Sequence, residues 1–123
     1  MKKIAILLFI FTFGCAQSQS NLIQQENQQI IGTWFIDDEI TNKWIFTSNN
    51  ICRWELDGEM LDQYTYSISS EFSQNGIEHT YLKLFNINDS TEIFEYAINS
   101  IGNNKMTLET FEPKLSYTHF TKQ

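Results

Sequence analysis

The chain has 123 residues, a formal charge of −7, 15% aromatic residues, five Gly and a single Pro. That is enough chain for one domain, and it is too aromatic and too poor in Gly and Pro to be disordered or low-complexity. The acidic balance argues against nucleic acid and anionic lipid head groups as partners, because both would be repelled, and is otherwise accounted for by solubility.

The N-terminus reads as a secretory leader: Lys2-Lys3, an apolar run from Ile4 to Phe13, then small residues. The run is too short to cross a bilayer as a helix. Gly14-Cys15 suits lipoprotein processing, in which Cys15 becomes the acylated first residue, with 1–14 as the signal peptide. The competing reading is ordinary cleavage near Ser18–Ser20, which gives a soluble periplasmic or secreted protein. Loss of Lys2 and Lys3 leaves six basic residues against fifteen acidic, a formal charge of −9. On either route Cys52 is the one cysteine left for pairing within the chain, so no internal disulfide is expected, and Cys52 reads as a small buried hydrophobe.

Residues 15–29 are polar and Gln-rich, and read as a flexible tether ahead of a domain at 30–123. Leu22 and Ile23 offer only a weak alternative, a helical turn beneath that domain. Eight strand-like runs follow: Ile30–Ile36, Asn42–Thr47, Ile51–Leu56, Leu61–Ser69, Glu78–Ile87, Thr91–Ser100, Lys105–Phe111 and Leu115–Thr121. Each is rich in aromatic, β-branched or Thr residues. Turn chemistry separates them: Asn49-Asn50, Asp57-Gly58, Asn75-Gly76, Asn88-Asp89, Gly102-Asn103-Asn104 and Pro113. Connections this short force sequential antiparallel pairing. Eight strands are enough to close an up-and-down barrel whose interior is filled or holds one small ligand. A sandwich or half-open barrel is the alternative.

Alternation groups Gly32, Trp34 and Ile36 on one face, then Trp44 with Phe46, Cys52 with Trp54 and Leu56, and Tyr64 with Tyr66 and Ile68. Leu82 with Leu84, Phe94 with Tyr96 and Ile98, Met106 with Leu108, and Leu115 with Tyr117 continue the series. From these faces Phe46, Trp54, Tyr64, Tyr66, Phe94, Tyr96 and Tyr117 are candidates to line a cavity with apolar walls and orienting hydroxyls. The same aromatics could equally make a solid core.

The tripeptide Gly32-Thr33-Trp34, opening the first strand, resembles the lipocalins, in particular short bacterial lipocalin-like domains. The likeness extends to the strand count, the hairpin rhythm and the aromatic second strand Lys43-Trp44-Ile45-Phe46-Thr47. It implies that Trp34 closes the barrel's base, covered by a basic side chain from near the last strand, a position held here by Lys122. The chain departs from the larger lipocalins in lacking a Thr-Asp-Tyr motif between its middle strands and any helix after Gln123.

No nucleophile–base pair, metal-ligand spacing or phosphate loop appears around His79, His119 or the acidic turn Asp37-Asp38-Glu39. The expectation is a monomeric, non-enzymatic cell-envelope protein without cofactor or metal, held to the membrane by a lipid on Cys15. Its barrel would bind a small apolar ligand or lipid. The alternative is a filled barrel that acts through its outer surface as an interaction or inhibitor domain.

Overall fold

The computed structural model describes residues 25–111 and 113–123. The leader, Cys15, Leu22, Ile23 and the first part of the tether lie outside the described residues. Within them, the chain forms eight strands: β1 Gly32–Ile36, β2 Glu39–Phe46, β3 Ile51–Leu56, β4 Glu59–Phe72, β5 Glu78–Asn86, β6 Ile93–Ile101, β7 Lys105–Thr110 and β8 Ser116–Lys122. Each pairs antiparallel with the next, and β8 returns to β1, so the sheet is a closed up-and-down barrel.

The local reasons are those of turn chemistry. Asp57 and Gly58 both have positive φ, 54° and 83°, which is the two-residue hairpin geometry whose twist matches that of the flanking strands. Asn50 also takes a left-handed conformation, at φ 64°, one that a short amide side chain tolerates. Register shifts between Phe35 and Ile36, between Trp54 and Glu55, and between Ile98 and Ser100 add the local bends a small closed sheet needs.

The expected tether and first strand change at their junction. Residues 25–30 are helical, so the segment up to Gln29 is not all tether and Ile30 does not begin a strand. Tertiary contacts override the weak local pattern here. Ile30 is fully buried, and its carbonyl accepts a hydrogen bond from Trp34 Nε1 at 2.7 Å. The Gln29 carbonyl accepts one from Lys122 Nζ at 2.9 Å. Two side chains thus satisfy carbonyls that the helix's last turn leaves without intrahelical partners.

The expected cation over the indole is present: Lys122 Nζ lies 5.1 Å from the Trp34 ring centroid. Gly32 makes room for it. A Cβ at that position would stand 2.6 Å from Lys122 Cε, and the backbone φ of +140° disfavours L side chains as well. The helix, the connections over residues 47–50, 73–77 and 102–104, and the C-terminus share this end. The opposite end carries the connections over 37–38, 57–58 and 87–92, together with 111 and 113–115.

The closed half of the interior is solid. Ile30, Trp34, Phe46, Tyr66, Leu82, Met106, Leu108 and Phe120 are all buried, with Phe46 and Tyr66 edge-to-face at 5.0 Å. Cys52 is free and buried among them, as the sequence suggested.

Candidate ligand-binding site

Above that core the interior opens into a cavity of about 230 Å³, lined by Trp44, Cys52, Trp54, Tyr64, Leu84, Phe94 and Tyr96. Five neighbouring strands, β2 to β6, each send inward-facing side chains to it. The walls are mutually braced aromatics: Trp44 meets Tyr96 edge-on at 5.6 Å, and Tyr64 meets Phe94 at 5.9 Å. Trp44 also packs on Phe120 at 5.1 Å, which joins the cavity floor to the core.

The wall offers few polar atoms. Burial pushes the Tyr96 hydroxyl up to about 12 and holds the Tyr64 phenol well above its ordinary range, the latter helped by its bond to Glu92, so both are neutral near pH 7. Burial likewise pushes the Cys52 thiol up to about 12, leaving it a neutral, unreactive wall group. The Trp44 indole N–H is buried without a hydrogen-bond partner, a donor that a ligand oxygen could satisfy.

One step nearer the open end, the inward positions turn polar. Asn42, Asp62, Asn86 and Glu92 sit two residues beyond Trp44, Tyr64, Leu84 and Phe94 on their respective chain segments. Trp54 Nε1 donates to Asn42 Oδ1 at 2.6 Å, and the Tyr64 hydroxyl to Glu92 Oε1 at 3.0 Å. Asn86 Nδ2 donates to both Asp62 Oδ1, at 3.3 Å, and Glu92 Oε1, at 3.0 Å. Asn86 is itself buried; Asp62 and Glu92 are half-buried.

Of the seven aromatic candidates, the structure brings Trp54, Tyr64, Phe94 and Tyr96 together around the cavity. Phe46 and Tyr66 lie beneath it in the filled core, with the Tyr66 hydroxyl donating to the Thr47 carbonyl at 2.8 Å. Tyr117 is a correction: it is 51% exposed on the outer wall, opposite Glu109. In β8 the inward residues are Thr118 and Phe120, which pair with the inward Leu108 and Met106, so the register of β7 decides the face. Gly32 and Trp34 stand at the closed end with Lys122, away from the cavity.

Trp44, Cys52 and Leu84 were on inward faces in the sequence but were not singled out as cavity residues, and the polar layer was missed. A signal for it existed: continuing each inward alternation by one step toward the same end reaches Asn42, Asp62, Asn86 and Glu92. Among the described residues no group of three or more His, Cys, Asp or Glu could hold a metal ion. His79 and His119 are exposed on the outer wall, the latter 2.9 Å from the Thr107 hydroxyl. Comparison of the chain with protein-family models, with curated proteins and with solved structures gives no match.

Proposed function

We propose that this is an exported lipocalin-like protein of the cell envelope, and that its barrel is a cup for one small apolar molecule or the end of a lipid chain. The observation that carries this reading is the asymmetric interior: a helix and a packed core seal one end, while an aromatic cavity of about 230 Å³ lies toward the other. That volume exceeds the roughly 150 Å³ that accommodates benzene in an engineered protein cavity and falls short of a drug-sized pocket. A single ring system or a short alkyl segment fits it. The Gly32, Trp34 and Lys122 contact at the base supports the family resemblance.

Native mass spectrometry of protein purified without denaturation tests the cup. A retained small mass, or quenching of Trp44 and Trp54 fluorescence on adding apolar probes, is the expected result. Failure of every probe to bind would leave the filled barrel acting through its outer surface. The leader and Gly14-Cys15 motivate membrane attachment through an acyl chain on Cys15. Detergent phase partitioning should then shift from the detergent to the aqueous phase on Cys15→Ser, and unchanged partitioning would remove the anchor.

A further inference from the structure

We infer that the molecule held in the cup is a cationic amphiphile: an apolar, ring-sized body in the cavity, and a protonated amine seated between Asp62 and Glu92. This rests on the cup reading and adds the chemistry of the head group.

Two inward carboxylates sit at the cavity's mouth, half-buried and close enough to share one amide nitrogen. Their bonded partners are neutral: the Asn86 amide for both and the Tyr64 hydroxyl for Glu92. The ion pair among the described residues, Lys83 with Glu95 at 3.5 Å, lies on the outer wall and does not reach them. Two carboxylates this close, each bonded to neutral groups, can both accept charge-assisted hydrogen bonds from a protonated amine.

What lies beneath decides which cation. Trp54, Tyr64 and Phe94 line the cavity just below these carboxylates. An organic ammonium gains from aromatic faces, whereas a metal ion would need several oxygen ligands in place of that apolar wall. The wider field points the same way. Asp37, Asp38, Glu39, Asp57, Glu59 and Asp89 are exposed in or beside the connections at this end, and Lys114 is the basic residue among those connections. Hydrogen bonds from the Thr91 hydroxyl and amide hold the Asp89 carboxyl below its ordinary range. Such a collar raises the local concentration of cations and speeds their capture, an effect that salt screens.

Three probes with one apolar body separate the readings: phenylbutylamine, phenylbutanol and phenylbutyrate, titrated calorimetrically into the purified protein at low and high salt. The amine should bind at least about tenfold tighter than the alcohol at low salt, with the carboxylate weakest and the preference shrinking as salt rises. Asp62→Asn with Glu92→Gln should abolish the preference for the amine over the alcohol. Near-UV circular dichroism checks that the variant folds, and Glu92→Gln alone serves if the pair does not. Equal binding of amine and alcohol to the wild-type protein would overturn the inference and leave the cup standing. Binding of none of the three would remove both. An amine preference that survived in the double variant would overturn the assignment to Asp62 and Glu92.

Discussion

The two ends of this barrel are built from different materials. At the closed end, Trp34 and Ile30 are fully buried, helix carbonyls are bonded to side chains, and the connections over 47–50, 73–77 and 102–104 contain no charged residue. At the open end, Phe94 is 39% exposed, inward carboxylates replace apolar side chains, and the turns are crowded with acids. Stability is therefore expected to reside below and recognition above. A cavity costs packing, which the filled half must offset.

The sharpest way to break this comparison is Trp34→Ala set against Phe94→Ala. The first should lose about 3–5 kcal/mol in denaturant unfolding, through the cavity it leaves and the unpaired Ile30 carbonyl; the second should lose under about 1 kcal/mol, since Phe94 is already part-exposed. Equal losses would mean the core is not confined to the closed half. Gly32→Ala comes next, at about 1–3 kcal/mol, because the new Cβ must displace Lys122 and the backbone conformation itself disfavours it. Lys122→Met should cost about 1–2 kcal/mol, from the lost indole contact and the bond to Gln29; a thermal melt unchanged by it would show the basic cover to be dispensable.

The smallest effect concerns Glu26 on the helix. Burial, and to a lesser extent the charge of Glu78, raises its carboxyl above the usual 4.5, against a hydrogen bond from Thr80 that lowers it. A carboxyl raised in the folded state favours folding only while protonated, so its contribution is complete below pH 4.5 and is lost as pH rises through the folded-state value. Glu26→Gln should therefore melt like the wild type in acid and slightly above it near pH 7. A difference that was constant across pH would show that the carboxyl's charge is irrelevant there.

Most of this architecture was legible because hairpin turns announce themselves locally. Asp57-Gly58 and Asn49-Asn50 fall where positive φ is needed, and the strands between them keep their alternation. The helix at 25–30 was not, since its reason lies with Trp34 and Lys122 rather than in its own Gln-rich sequence. Tyr117 misled for a related cause: both faces of β8 carry an aromatic, and only pairing with Met106 and Leu108 selects Phe120. The polar layer was hidden because apolar residues were sought at inward positions, and the change to Asn, Asp and Glu read as the end of the pattern rather than its continuation.

The pairing of β1 with β8 also has a kinetic consequence. Every other strand pairing joins neighbours in the chain, so hairpins can form early at little loop-closure cost, whereas Trp34 meets Lys122 only when the two ends of the domain come together. The seam is then the last contact made on folding and the first released. Lys122→Met should accordingly steepen unfolding rates while leaving refolding rates nearly unchanged, as the two arms of a chevron plot would record. On that view the meander carries the speed of folding, and the basic side chain over the indole governs how long the barrel stays shut.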